Sequence, residues 1–203
     1  NVENEDDIAN FCESVSAVFS HVDGFVHSIA FANYSEGIKP FHETLKDDFL
    51  QAMEISCFSL VRCVNAIKHL LSEEASIVTM SISTTRMASE NYGYMGPVKA
   101  ALDSSVAFLA KSLSRDVAPK IRVNAVGASL LKTSASAGIP GYVDAYLYAE
   151  NVIPRHVALQ TSEVANVLVF LLSAKASGIN AQTIIADAGM SINYFSNDVI
   201  RGK

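Results

Sequence analysis

Tyr92 and Lys99 are the two residues of this sequence whose types and spacing most favour acid–base chemistry. They lie seven residues apart in the stretch NYGYMGPVKAAL, at the start of a predicted helix over residues 92–117. Seven residues is close to two helical turns, so both side chains are expected on one helix face, offset by about 20°. A phenol donates a proton poorly at neutral pH unless a nearby cation stabilises the phenolate, which Lys99 would supply. The pair is a candidate acid–base site.

Other interpretations of these residues stay open at this point. Tyr92 and Lys99 could be an ordinary aromatic residue and an amine on a helix surface, with the lysine stem lying along apolar neighbours. Tyr94 is an alternative phenol, but its offset of five residues from Lys99 directs it about 140° away on an ideal helix. His27 ends a predicted strand, where a lone histidine is expected to be a hydrogen-bonded structural residue.

The composition favours one large core and excludes several classes of partner. The chain has 203 residues, of which 50% are apolar and 18% are charged, against about 25% charged in an average domain. We therefore expect a single domain over residues 1–203. The net charge is −6 and no run of lysine and arginine occurs, which argues against nucleic acid or an anionic membrane as a partner. No apolar run approaches the roughly 20 residues that span a bilayer.

The cysteines indicate neither a disulfide framework nor a metal site. Cys12, Cys57 and Cys63 are odd in number and lack the ligand spacing of zinc sites. Cys57 and Cys63 are expected to be buried small hydrophobic residues. This usage of cysteine fits a reducing cytoplasm, so we predict a cytoplasmic protein with no metal.

Hydrophobic periodicity predicts an alternation of helices and strands. The predicted helices span residues 4–20, 45–71, 92–117 and 161–174, and the predicted strands span 25–31, 76–82, 121–126 and 182–187. The strands are continuous apolar runs separated by helices, which indicates a parallel sheet covered on both faces. The predicted fold class is α/β, with a Rossmann-like sheet.

Ligands of such sheets bind beyond the carboxyl ends of the strands. That edge would collect the small residues of 27–30, 81–83 and 127–129, beside Tyr92 and Lys99. Small residues there allow a cofactor to approach the backbone closely. However, the 203 residues contain no glycine-rich GxGxxG loop for the phosphates of a dinucleotide.

Four stretches resemble the enoyl-acyl-carrier-protein reductases, a branch of the short-chain dehydrogenase/reductase superfamily. They are DGFVHSIAFA at 23–32, the Tyr-x-x-Met-x-x-x-Lys pattern from Tyr92 to Lys99, IRVNAVGASLLKTSASAGI at 121–139 and ADAGMSI at 186–192. The interval of seven between tyrosine and lysine, instead of the superfamily's usual four, distinguishes this branch. The resemblance extends from about Asp6 to Tyr194.

The resemblance implies reduction of the 2,3 double bond of an enoyl thioester by NADH in type II fatty acid synthesis, with NADPH not excluded. Tyr92 would hydrogen-bond the thioester carbonyl, and Lys99 would hold the ribose hydroxyls of the nicotinamide. The positions that match cofactor contacts are Ser28, Ile29, Ala30, Ser81, Lys99, Leu131 and Thr133. The positions that match the acyl pocket are Met95, Ala135, Ile139 and Tyr142, and residues 134–150 match a mobile lid.

The implied partners are an enoyl substrate linked to acyl carrier protein or to coenzyme A, and further copies of the chain. The superfamily commonly pairs its long helices between subunits, so we expect a homodimer or homotetramer that pairs the helices over 45–71 and 92–117.

Two departures from the family pattern leave other functions open. Ile82 stands where the family usually has a second tyrosine, and the family's Ser-Ala-Gly-Pro is Gly127-Ala128-Ser129-Leu130 here. These changes motivate an alternative substrate, such as another carbonyl compound or an enone. A catalytically silent paralogue is the third hypothesis, motivated by the missing phosphate loop.

The family also begins with a βαβαβ portion that is absent from these 203 residues and that carries its phosphate-binding turn. Two βα units amount to roughly 60 residues. Without them the strand over 25–31 would expose an apolar edge. We therefore expect the native protein to contain such a portion before Asn1.

Overall fold

A computed structural model of the chain describes residues 1–90 and 92–201. The helices are α1 (Glu5–Val18), α2 (Lys46–Met53), α3 (Ser59–Ile67), α4 (Met95–Asp116), α5 (Tyr142–Val152), α6 (Thr161–Leu172) and α7 (Asn197–Arg201). The strands are β1 (Val22–His27), β2 (Leu71–Ile82), β3 (Arg122–Ala128) and β4 (Thr183–Ala186). The predicted bounds of α1, α6, β3 and β4 are correct to within two residues.

The four strands form one parallel sheet in the order β1-β2-β3-β4. Val26 pairs with Val78, and Val78 pairs with Asn124 across the sheet. All four strands end at the same edge, which the carboxyl ends of parallel strands share. The predicted α/β fold class with a parallel sheet is confirmed.

Helices cover both faces of the sheet. On one face, α4 and the helices between β1 and β2 bury Leu60, Val98 and Leu102 against the strands. On the other face, α6 buries Val164 and Leu171. β3 is buried along its whole length because it lies between these two layers, as expected of a strand that is a continuous apolar run.

The predicted helix over 45–71 is interrupted in the structure. A π-helical segment, Glu54–Phe58, separates α2 from α3, and β2 begins at Leu71 instead of residue 76. The Ser59 hydroxyl donates to the Ile55 carbonyl at 2.6 Å, and such bonding of serine to the preceding turn competes with the regular helix ladder. Sequence periodicity did not predict this widened turn.

The same run is long and apolar enough to cross a membrane by length and composition alone. The helical run Lys46–Leu70 has 25 residues and a mean hydropathy of 1.2. Charged residues such as Glu54 and Arg62 interrupt it, so it is not a continuous apolar run. Half of its most apolar stretch is buried inside the structure, because Leu60, Val64 and Ile67 lie in the core beneath the sheet.

α4 begins at Met95, three residues later than predicted, so Tyr92 lies in a turn before the helix. Gly93 has a φ of 52°, in the left-handed region that an α-helix cannot include and that glycine adopts without strain. Pro97 is tolerated in the first turn of α4, where the missing N–H needs no partner in the helix. The prediction that Tyr92 and Lys99 share a helix face was therefore wrong.

β1 ends at His27, so the residues from Ser28 to Phe31 form a loop beyond the strand instead of its last part. The Ser56 hydroxyl fixes this loop, because it accepts from the Phe31 N–H at 2.9 Å and donates to the Phe31 carbonyl at 3.0 Å. Phe31 is thereby bonded to the π-helical segment and not to a neighbouring strand.

Candidate active site

The carboxyl edge of the sheet brings together the segments that the sequence analysis assigned to a ligand site. The loop after β1, the end of β2 and the segment after β3 meet there, and the turn that carries Tyr92 leads from β2 into α4. Parallel strands end at a common edge, so residues far apart in the sequence become neighbours.

Lys99 is buried on α4 and reaches the end of β2. Its ammonium group donates a hydrogen bond to the Met80 carbonyl at 2.8 Å. Burial lowers the pKa of Lys99 to about 8, while Asp103 and Cys57 act in the opposite direction. An ammonium group has three donors, so two remain available to a ligand.

Asp103 is one helical turn after Lys99 and is held in place by β4. The Thr183 hydroxyl donates to its carboxylate at 2.9 Å. The negative charge of Asp103 favours the protonated form of Lys99. Asp103 thus helps to keep a buried cation charged at neutral pH.

Tyr92 is a protonated phenol at neutral pH. Burial raises the pKa of Tyr92 well above its ordinary value, and Tyr34 and Tyr142 add to this effect. Among the residues that the structure describes, the Tyr92 hydroxyl has no hydrogen-bond partner and is not joined to Lys99. The expected stabilisation of a phenolate by Lys99 is therefore not observed, and Tyr92 is suited to donate a hydrogen bond instead.

Tyr142 fixes the segment that follows β3. Its hydroxyl donates to the Leu131 carbonyl at 2.7 Å and accepts from the Leu131 N–H at 2.8 Å. The Ser136 hydroxyl lies 2.9 Å from the carbonyl oxygens of Leu131 and Thr133. These bonds connect the start of α5 to the strand end, so both sides of the segment over 131–142 are anchored.

Two buried hydroxyls at this edge have no partner among the residues described. They belong to Ser81, in β2, and to Ser129, which directly follows β3. A buried polar group without a hydrogen bond costs free energy. Such groups are expected where a polar ligand completes the bonding.

The remaining residues assigned by resemblance are distributed unevenly. Ser28, Ala30, Thr133 and Ala135 are exposed, whereas Ile29, Leu131 and Ile139 are half-buried. Met95, expected in an acyl pocket, is buried in the core cluster that contains Val98. The structure therefore places Met95 inside the fold, while the other residues line the edge or the segment after β3.

His27 has the structural bonds that its position predicted, and Tyr94, the alternative phenol, is also bonded within the fold. His27 Nδ1 lies 2.9 Å from the Thr79 hydroxyl, and Nε2 lies 2.8 Å from the Ser59 hydroxyl. The Tyr94 hydroxyl donates to the Asn33 carbonyl at 2.9 Å. The structural interpretation of His27 is confirmed.

Sequence reasoning missed two neighbours of the candidate pair, Tyr34 and Asp103. Tyr34 follows β1 by seven residues and affects the pKa of Tyr92, and Asp103 affects that of Lys99. An acidic residue four positions after a lysine on a helix was a usable signal for Asp103. Within residues 1–90 and 92–201, no group of three or more His, Cys, Asp or Glu side chains could hold a metal ion.

The family model described as enoyl-(acyl carrier protein) reductase matches residues 1–191 of the chain. The enoyl-acyl-carrier-protein reductase (NADH) FabI of Nostoc sp. is 36% identical over 192 residues, which cover 95% of this chain and 73% of that protein. The enoyl-acyl-carrier-protein reductase (NADPH) FabI of Staphylococcus aureus is 34% identical, over 93% of this chain and 72% of that protein.

Solved structures of similar proteins superpose closely on the chain. FabI from Candidatus Liberibacter asiaticus has a TM-score of 0.90 at 28% identity, covering 97% of this chain and 75% of that one. The enoyl-acyl-carrier-protein reductase (NADH) from Aquifex aeolicus has a TM-score of 0.90 at 29% identity, covering 96% and 75%. The chain spans about three quarters of the length of these relatives.

Proposed function

The chain belongs to the enoyl-(acyl carrier protein) reductase family, and from this premise we propose that Tyr92 and Lys99 perform the family's reaction. The chain is an NAD(P)H-dependent oxidoreductase that reduces enoyl thioesters on acyl carrier protein in fatty acid synthesis. Its cofactor is NADH by its similarity to the Nostoc protein, and the Staphylococcus aureus relative extends the choice to NADPH.

The state of the two side chains is the observation that carries the proposal. Tyr92 is a half-buried, protonated phenol without a partner among the described residues. Lys99 is a buried cation with donors to spare. A hydrogen-bond donor and a cation that the fold holds at one edge of the sheet are suited to stabilise charge that develops on a carbonyl oxygen.

The edge of the sheet also fits the nicotinamide half of the cofactor. The unpartnered hydroxyls of Ser81 and Ser129 offer polar contacts that the fold leaves unsatisfied, and Lys99 can bond ribose hydroxyls. The residues proposed to hold the cofactor are Ser28, Ile29, Ala30, Ser81, Lys99, Leu131 and Thr133. When bound, NADH supplies the hydride that adds to the β carbon of the enoyl thioester.

The protein's own contribution is then to bind, orient and polarise the thioester. Tyr92 donates a hydrogen bond to the carbonyl oxygen, and the charge of Lys99 lowers the energy of the electron-rich state. Ala135, Ile139 and Tyr142 would line the acyl chain under the segment over 134–150. Met95 would contribute from the core side, by supporting the wall of this pocket.

Assembly and location complete the proposal. We infer a cytoplasmic homodimer or homotetramer that pairs α4 and the helices over 46–67 between subunits. The exposed Phe108 of α4 and Phe58 at the end of the π-helical segment support this choice, since large exposed apolar side chains favour contact surfaces.

The test is steady-state reduction of a 2-enoyl thioester by NADH. Tyr92→Phe and Lys99→Ala should each reduce turnover by about 100-fold, the effect of removing one preorganised donor. Tyr194→Phe is the matched control, because this phenol is fully exposed. Unchanged rates in both variants would refute the roles of Tyr92 and Lys99, and activity on ketones alone would favour another carbonyl substrate.

A further inference from the structure

Tyr34 is the residue that the proposed reaction leaves unexplained. It lies in the loop beyond the carboxyl end of β1, and its ring stacks on Tyr94 with the centroids 6.3 Å apart and the planes at 29°. Tyr94 is fixed in turn by its bond to Asn33 and by an edge contact with Phe49 at 6.4 Å. A rigid aromatic support therefore holds Tyr34 beside the turn that carries Tyr92.

The phenol of Tyr34 is free to bond a ligand. Of the two phenols close enough to affect Tyr92, Tyr142 uses its hydroxyl for both bonds to Leu131. Tyr34 has no hydrogen-bond partner among the residues that the structure describes. Burial and the neighbouring Tyr94 raise the pKa of Tyr34 to about 12, so it is a donor at neutral pH.

The end of β2 offers no further phenol. Ile82, the last residue of that strand, is apolar, and the Ser81 hydroxyl before it is assigned to the cofactor. Among the residues that the structure describes, the phenols near the substrate position without a hydrogen-bond partner are those of Tyr92 and Tyr34. A carbonyl oxygen has two lone pairs and can accept two hydrogen bonds. Two converging donors stabilise a developing negative charge more than one does.

We propose that Tyr34 is a second catalytic hydrogen-bond donor, which contacts the thioester carbonyl oxygen together with Tyr92. This inference rests on the proposed function. As hydride adds to the β carbon, the electron pair of the double bond shifts toward the carbonyl oxygen, where both phenols keep their protons and donate hydrogen bonds. The enolate then re-forms the carbonyl group while its α carbon takes a proton from water, which leaves as hydroxide, and the saturated thioester is complete.

The test compares full-length wild-type protein with Tyr34→Phe, which keeps the ring and its stacking on Tyr94. With NADH and a 2-enoyl thioester, kcat and kcat/KM should both fall by roughly 10- to 100-fold, the pattern of a contact made only in the transition state. The melting temperature should stay within about 2 °C of the wild type. Tyr194→Phe, which alters a fully exposed phenol, should leave the kinetics unchanged.

Two results would overturn the role of Tyr34. One is a kcat within twofold of the wild type in Tyr34→Phe when Tyr92→Phe is strongly impaired. The other is a higher KM at unchanged kcat, which indicates a contact made equally well with the bound substrate and not one that strengthens in the transition state. A failure of the proposed function would look different. In that case the wild-type protein itself would not reduce enoyl thioesters.

Discussion

We expect Lys99 to set the pH range in which the candidate site works. Burial lowers its pKa to about 8, so the side chain is charged below that pH and becomes neutral above it. We expect kcat/KM to decrease as the pH rises through about 8, because the cation that assists the carbonyl charge is lost. The groups that face Lys99 are His27, Cys57 and Asp103.

Lys99→Arg tests this assignment, since a guanidinium stays charged throughout this range. In rate profiles measured between pH 6 and 10, the decrease above pH 8 should move up by at least one unit, even if the maximal rate is lower. An unchanged decrease in the arginine variant would show that a different group titrates there.

His27 links folding stability to acid pH. Burial and the charge of Lys99 lower the pKa of His27 from 6.5 to about 4. The unfolded chain therefore binds more protons between these values, and stability is fully present above pH 6.5 and decreases as the pH falls toward 4. The loss is on the order of 3 kcal/mol.

Thermal unfolding between pH 4 and 7 measures this effect. His27→Gln retains a polar side chain without titrating, so its melting temperature should vary less steeply across this range than that of the wild type. Identical slopes for the two proteins would mean that His27 is not the group responsible.

At the scale of elements, periodicity predicted those structures whose pattern is regular and missed those set by local backbone geometry. The apolar runs of β3 and β4 and the spacing in α6 were sufficient to locate these elements. The π-helical segment Glu54–Phe58 differs from an α-helix in the carbonyl group to which each N–H donates. Residue types alone do not indicate this choice.

The candidate site shows the same division. The strand-end rule located the edge, and the motif selected Tyr92 and Lys99, yet the helix start depended on the left-handed conformation of Gly93. The proximity of Tyr34 depends on the course of the loop after β1, which has no periodic pattern. Sequence therefore indicated the edge of the sheet that carries the candidate site, but not which side chains lie beside each candidate residue.

Gly127 is a position where the close packing of strands requires glycine. A Cβ atom there would lie 2.8 Å from Ile185 Cδ1 and 2.9 Å from the Ile82 carbonyl oxygen. Gly127, which replaces the serine of the family motif, thus leaves room for the side chain of Ile185. Because a backbone carbonyl cannot move aside without disturbing the ladder, Gly127→Ala should destabilise the protein by about 1–3 kcal/mol.

Differential scanning calorimetry should show a melting temperature lower by roughly 3–10 °C for Gly127→Ala. Gly178→Ala is the control, because nothing lies within 4 Å of a Cβ atom at that position. Equal melting temperatures for both variants would contradict the close approach at Gly127.

For the whole molecule, the proposed assembly depends on the outer face of α4. Phe108 is 77% exposed there, and burying such a side chain stabilises association by about 1.5–3 kcal/mol. Phe108→Asp should therefore reduce the molar mass measured by light scattering. Phe195→Asp, a substitution of another exposed phenylalanine, should leave the mass unchanged. A monomeric wild type would contradict the assembly.

The alternation of apolar strands and helices predicted the parallel sheet, and the comparisons give the reaction class. We propose that the chain directs reduction to the double bond of an enoyl thioester, with Tyr92 bonded to the carbonyl oxygen.

The most direct test uses NADH that carries deuterium at the transferable position. Full-length protein reduces a 2-enoyl thioester of acyl carrier protein with this cofactor, and the position of the deuterium in the product is determined. Mass spectrometry of the product should find one deuterium at the β carbon of a saturated acyl chain. In Tyr92→Phe the same product should form far more slowly. Absence of reduction, or deuterium at a carbinol carbon formed from the carbonyl group, would contradict the account.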